Sequence, residues 1–465
     1  MYVCIAQAQP LADTNRKFTP EQLIEDVNFY VKTLEEAHVN LYASVSAAKF
    51  RAHAESIKSK IRQHGAMTQK EFWWLFAPLG ASVGDSHTVV METRFFTKAE
   101  DDPTKYLPVH ADYIDKKIVV TDSFADEKIE KGAVITAVNG VAAKELVRRL
   151  GDYLSGTERE KTNRAAGWLW IGAAEILGRP DEFTLSLADG KKVMVKGIRL
   201  PELLKRMRAA RKPKTTAATT ASSNSPIELK FLNAETAYLN ALTFEYDLEK
   251  YKTHLKDVFM QIKSAGVRNL IVDVRNNRGG NSALGDALID MFNAKPHRCW
   301  ASKWKRSVFY AEALKRGESP LPESSIKKYL AASPGETLSS DFGTVTPGAN
   351  PLRFRGRVYV LSGAKTFSSG VMFLGDVKDN KLAKIVGEET DEPACMFGEM
   401  NLFWLPHSRL RVSLSVKSWT PPSGVCNGTR GIVPDVVVKE SIADYLTLKD
   451  RILETALNLI KRKPM

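Results

Sequence analysis

The sequence predicts a mixed α/β (α+β) chain of several domains, and three observations carry that reading. Residues 19–79 show apolar positions at helical spacing, residues 107–197 change to short β-type runs, and two buried strands, Leu270–Val274 and Val358–Leu361, are each followed by a glycine-containing turn and a helical pattern. A chain of 465 residues has room for two to four domains at roughly 150 residues each.

Thr19-Pro20-Glu21-Gln22 reads as a capping box with proline at its preferred first helical position, and Phe18 with Leu23 would form a hydrophobic staple. Leu23, Ile24, Val27, Tyr30, Val31 and Leu34 make one apolar stripe; further helices are expected over residues 47–62 and 69–79. Residues 18–95 are therefore expected to form a helical cap. In residues 96–200, strands are expected at 117–120, 132–138 and 183–187 with a helix at 143–154, and Asn139-Gly140 is a tight-turn pair. The spacing Ile129, Gly132, Ile135, Val138, Asn139, Gly140 resembles PDZ domains, which bind peptides by adding a strand to a sheet edge. Residues 201–226 are a basic, low-complexity linker. Residues 227–465 form the α/β region: a strand at 236–241, an amphipathic helix at 248–265, the buried strand 270–274, a helix at 284–292 and a polar excursion to about residue 350. That excursion carries Trp300, Trp304, Phe309 and Tyr310, which either cover a site or bury themselves. The strand–turn–helix unit at 358, β runs between 383 and 438, and one last helix over 446–463 complete the chain.

Composition excludes more than it selects. Hydrophobic content of 43% with 26% charged residues is ordinary for a globular protein, and no apolar run approaches the ~20 residues that span a bilayer. The formal charge of +13 is partly local, since Lys205, Arg206, Arg208, Arg211, Lys212 and Lys214 stand together; without an aromatic-interleaved basic face, no nucleic-acid partner is expected. Residues 1–17 resemble the tail of a secretory signal with an Ala6-Gln7-Ala8 cleavage site, which favours an extracytoplasmic location over a cytoplasmic one. Among four cysteines, Cys395 and Cys426 share a β-rich stretch and either bridge or remain free thiols.

Three segments carry chemistry: Gly84-Asp85-Ser86-His87-Thr88, Asp273-Val274-Arg275-Asn276-Asn277-Arg278-Gly279-Gly280, and Thr366-Phe367-Ser368-Ser369-Gly370. The third puts a serine where a turn enters a helix, with unpaired amides able to stabilise an oxyanion; the plainer alternative is an N-cap serine. The eight histidines are scattered, and neither a metal-ligand spacing nor a phosphate loop occurs, so no cofactor or metal is expected.

Together these segments resemble the tail-specific (C-terminal-processing) serine proteases, a family that includes the tricorn core and the interphotoreceptor retinoid-binding repeats. The resemblance implies a crotonase-like ββα catalytic domain behind a helical cap and a PDZ-like insert. It makes Ser368 the nucleophile and gives the oxyanion hole to the amide of Ser369 with that of Gly279 or Gly280, leaving Arg275 and Asn277 to brace the loop. The family's Ser/Lys branch carries a lysine about 25 residues after the serine; Pro393 stands there, and residues 385–416 contain no lysine. The tricorn-like branch uses a histidine preceded by serine, which Ser86-His87 matches, so His87 is the expected general base. That branch also supplies a glutamate shortly before a Gly-x-x-Pro-Asp run. Here residues 425–430 hold no carboxylate, which leaves Asp85, Ser86 or Glu389 to orient His87. The expected activity is serine endopeptidase cleavage of a polypeptide held by the PDZ-like domain. A non-catalytic ligand- or peptide-binding protein on the same fold, or an esterase, is the alternative.

Overall fold

A computed structural model describes residues 15–91, 102–210, 225–318 and 321–462. The expected leader up to residue 14, Cys4 and the linker core 211–224 lie outside these residues.

The cap forms as its stop and start residues dictate. Helix Pro20–Ala37 begins at the Thr19/Gln22 capping box, Ala47–His64 at Ser46, and Gln69–Ala81 at a second capping box, Thr68/Glu71. Leu23, Val27, Tyr30, Phe50, Phe72, Trp73 and Phe76 make their shared core, which also takes in Trp304, Tyr310 and Tyr329 from the polar excursion and Val412, Leu414 and Val416 from a later strand. Trp300 instead packs in the core of the α/β region, beside Gly375. The excursion thus buries these aromatics in two cores.

Residues 102–210 hold a separate core, including Leu146, Leu150, Leu169 and Phe183. Its four-stranded antiparallel sheet runs Lys192–Lys196, Glu182–Leu187, Ile135–Val138, Val141–Ala142, and helix Glu158–Gly167 projects toward the α/β region. Asn139 (φ 49°) and Gly140 (φ 78°) make the expected tight turn.

The α/β region is built on a six-stranded sheet in chain order: Ile227–Asn233, Thr236–Ala241, Asn269–Asp273, Arg357–Ser362, Lys384–Gly387 and Val436–Val437. The first pair is antiparallel and the rest are parallel. Helices Leu248–Ala265 and Ser369–Asp379 are crossovers on one face, and helix Arg451–Lys461 covers the other through Ile452, Ala456 and Ile460. The last helix is not continuous as expected: Ile442–Thr447 stops at Leu448 (φ 53°), and Asp450 caps a new helix at Arg451. Parallel strands gather the loops after Asp273, Ser362 and Gly387 at one edge of the sheet, where such sheets carry their sites. Among the described residues no helix is long and apolar enough to cross a membrane.

Candidate active site

Ser368 lies in the turn between strand Arg357–Ser362 and helix Ser369–Asp379, with φ 54° and ψ −125°. That conformation is unfavourable for a residue with a β-carbon, costing on the order of 1–3 kcal/mol, and it persists only where surroundings fix it. They do here. Phe367 donates its amide to the Asn277 carbonyl (3.0 Å), Thr366 Oγ1 donates to the Val274 carbonyl (2.9 Å), and the Ser368 amide donates to Glu392 Oε2. Ser368 occupies the N-cap position of the helix, but its side chain makes no capping hydrogen bond. Its hydroxyl stands half-buried at the head of the helix, where the unpaired amides and positive dipole end favour negative charge.

The loop after Asp273 closes against this turn. A β-carbon on Gly279 (φ 88°) would fall 2.7 Å from Ser368 Cβ and 2.8 Å from the Ser369 nitrogen, an approach open only to glycine. The Gly279 amide donates to Asn277 Oδ1 (2.8 Å) and is therefore spoken for. No hydrogen bond engages the Gly280 amide among the described residues, while Ser369 Oγ holds the Gly280 carbonyl at 2.6 Å. Of the two glycines, Gly280 is the one with a donor to offer. Arg275 and Asn277 are braces, as expected. Arg275 forks across Asp273 and Asp450 at 2.6–3.0 Å, and Asn277 Nδ2 donates to the Ala241 carbonyl (2.9 Å).

His87 reaches this place from the cap. Its loop is stitched to strand Arg411–Thr420: Val90 pairs with Val412, Ser413 Oγ donates to the His87 carbonyl (2.6 Å), and the Ser415 amide donates to Thr88 Oγ1 (3.1 Å). The imidazole stacks on Phe367, with centroids 4.7 Å apart and planes at 20°. Its Nδ1 lies 3.3 Å from Glu392 Oε1, close enough for an ion pair but without hydrogen-bond alignment. His87 and Ser368 therefore share two neighbours: Phe367, which precedes the serine, and Glu392, which touches both residues.

None of the three expected orienting groups meets the ring. Asp85 accepts from the His87 amide (2.9 Å) and Thr88 Oγ1 (2.6 Å) and faces His38 Nε2 at 3.3 Å; a buried carboxylate with that many donors is committed to holding the loop. Ser86 Oγ donates to Glu160 (2.7 Å), and Glu389 binds Arg430 (2.7 Å), Arg159 (3.1 Å) and the Gly431 amide (3.1 Å). The carboxylate at the imidazole is Glu392, which sequence reading missed although it stands one residue before the position tested for a lysine. Its loop is fastened by the Cys395–Cys426 disulfide, by the Ala394 amide to the Arg430 carbonyl (2.9 Å), and by Thr390 Oγ1 to the Glu392 carbonyl (2.9 Å).

Electrostatics follow from burial. His87 and Glu392 are 3% and 1% exposed in their side chains. Burial depresses the imidazole pKa, opposed by the charge of Asp85 and assisted by Arg164, so the ring is neutral at neutral pH. Burial, then the nearby Glu160 carboxylate, push Glu392 well above the usual carboxylate range, while the Ser368 amide pulls the other way. Asp85 is also buried, yet its hydrogen bond to His38 and the attraction of the His38 ring hold it well below that range. The described residues contain no cluster of three or more ligands for a metal ion.

Residues 235–438 match the model of peptidase family S41. No curated protein sequence matches the chain. Among solved structures, mature CPAF superposes with a TM-score of 0.64 at 15% identity, covering 96% of this chain and 99% of that one. Mature CPAF complexed with lactacystin gives 0.61 at 16% identity over the same shares. A putative peptidase from Parabacteroides merdae gives 0.49 at 13%, covering 96% and 98%. At such identities the two CPAF superpositions speak for the fold, and the family match speaks for the α/β region. Residues 235–438 are a peptidase family S41 domain, and the chain is a serine-type peptidase.

Proposed function

We propose that the protein is an endopeptidase that cleaves polypeptides through an acyl-enzyme on Ser368, with His87 as general base and Glu392 as the group that orients it. In the first half-reaction His87 takes the Ser368 Oγ proton as Oγ attacks the scissile carbonyl carbon. The Gly280 and Ser369 amides hold the oxyanion. The C–N bond then breaks as the imidazolium returns its proton to the leaving amine, and water repeats the sequence on the ester. Glu392 draws the Nδ1–H tautomer toward itself, leaving Nε2 to accept from serine, and it offsets the imidazolium charge as that charge forms. The PDZ-like residues 96–200 are assigned to gripping the substrate, and the disulfide accords with an extracytoplasmic setting.

The observation that carries this reading is the double contact of Glu392, one oxygen on the Ser368 amide and the other 3.3 Å from His87 Nδ1. An activated serine predicts covalent labelling by a fluorophosphonate, slowed by lactacystin. Ser368→Ala should abolish labelling and casein hydrolysis, and His87→Ala should reduce both. Labelling of the Ser368→Ala protein at the rate of the unmodified chain would remove Ser368 from the role.

A further inference from the structure

A cleft of about 1420 Å³ lies away from Ser368. It opens at the opposite edge of the six-stranded sheet, where Thr236, Asn269 and Arg357 begin their strands, about 20 Å away by the length of one strand. Its open apolar lining comes from Pro351, Leu352 and Leu457, over the buried Phe259, Ile262, Phe354 and Ile460, and its rim carries seven cationic side chains.

Most of those seven have local work. Arg268 is paired with Glu235, and Arg353 with Asp290 (2.8 Å). Arg357 donates to Asn269 Oδ1 and the Ile460 carbonyl (3.0 Å each), and Lys263 to the Pro351 carbonyl (3.2 Å). Arg355, Lys461 and Arg462 are exposed, and their side chains have no hydrogen bond or ion pair among the described residues. Helices Leu248–Ala265 and Arg451–Lys461 end here, and their negative dipole ends supply about −1 charge together. With Glu235 and Asp290 counted as well, the cleft keeps a surplus of about four positive charges.

We propose that this cleft is a binding site for an acidic polypeptide segment whose apolar side chains enter between the cationic rims. Charge complementarity selects an anionic partner, and the apolar lining selects one that carries hydrophobic groups beside its carboxylates. A single-stranded nucleic acid is disfavoured because the two lining phenylalanines are buried (Phe259 0%, Phe354 9% exposed), which leaves no open ring for a base to stack on. The concave shape disfavours a flat lipid surface. The site stands apart from the catalytic reading, since occupancy requires no turnover.

The test uses the full chain with Ser368→Ala, so that no probe is cut, and a fluorescein-labelled 15-residue peptide of alternating Glu and Leu, read by polarisation. Binding should saturate, weaken as salt rises, and fall roughly tenfold or more in the R355E/K461E/R462E variant, with R355Q/K461Q/R462Q intermediate. The three side chains are exposed, so the neutral variant should melt close to the parent, while the reversed one, with acids at the negative end of helix Arg451–Lys461, should melt somewhat lower; should it fail to fold, the neutral one decides. Equal affinity in the neutral or reversed variant, or for a peptide with Gln in place of every Glu, would overturn the proposal. Tighter binding of a single-stranded oligonucleotide or of anionic vesicles, lost in the same variants, would overturn the choice of polypeptide. Displacement of the peptide by millimolar phosphate alone would reduce the site to a simple anion hole.

Discussion

Replacing Glu392 by glutamine separates the catalytic reading from a purely structural one. Glutamine keeps the shape and an oxygen to accept the Ser368 amide, but it cannot bear the charge that would face the imidazolium. At 3.3 Å and an effective dielectric of 20, a full carboxylate–imidazolium attraction is about 5 kcal/mol, a ceiling of three to four decades in rate. Two observations lower that ceiling. The pair lacks hydrogen-bond alignment, and burial beside Glu160 disfavours the ionised form of Glu392. A fall in kcat of roughly 10²–10³ with KM little changed is therefore expected. The folded pKa of Glu392 is raised, so its contribution to stability is complete below the ordinary carboxylate range and is lost as pH rises through the raised folded value. Its neutral isostere should accordingly leave the melting temperature unchanged at acid pH and raise it at alkaline pH. The acid limb of kcat/KM should also move to lower pH, because the depressed imidazole is the titrating group that remains. Steady-state hydrolysis of a fluorogenic peptide across pH, with melting curves on the same samples, measures all three. Glu392→Gln within twofold of the parent at every pH, beside an inactive Ser368→Ala, would refute the assignment.

Ser368→Gly should be more stable than Ser368→Ala by about 1 kcal/mol in urea titrations, since glycine accepts the positive φ at little strain, while both lose activity. Cys395→Ser/Cys426→Ser should lower stability by about 2–4 kcal/mol through its 31-residue separation and reduce kcat by loosening the Glu392 loop; alkylation under denaturing, non-reducing conditions should find both thiols of the parent blocked. Asn277→Ala leaves the Gly279 amide and the Ala241 carbonyl without their partner in a buried loop. Its expected effects are a loss of about 2–4 kcal/mol and a marked fall in kcat, read by thermal melts and peptide hydrolysis.

Local rules reached far into the fold. The capping box at Thr19, the turn at Asn139-Gly140 and the apolar runs 270–274 and 358–361 act through neighbours a few residues away, and the structure has each where those rules put it. The failures occur where long-range contacts decide. The sequence predicts one last helix over 446–463. Asp450 instead serves at once as N-cap of the final segment and as partner of Arg275, and a break at Leu448 lets it do both. Likewise, nothing local says that Trp304 and Tyr310 leave the α/β region to complete the core of a cap more than 200 residues earlier.

The site divides in the same way. Ser368, His87 and the two glycines stand near one another in the structure, and each is marked in the sequence by its own local geometry: a strand-to-helix turn, a loop closing a helical cap, a backbone approach that a β-carbon would block. An orienting carboxylate needs no such geometry. It must only arrive within reach of one ring nitrogen, and any loop the sheet brings to that edge can supply it. Glu388, Glu389, Asp391 and Glu392 all stand just past strand Lys384–Gly387, and spacing alone cannot choose among them. Salt bridges choose. Arg430 and Arg159 take Glu389, and Arg159 with Asn163 takes Asp391, all three partners coming from outside the loop. Glu388 is only half-buried, which leaves Glu392 as the carboxylate that is fully buried and turned inward. Residue 392 faces His87 because its neighbours are pinned outward, so the partners of Glu389 and Asp391 determine the electrostatics at the imidazole without touching it.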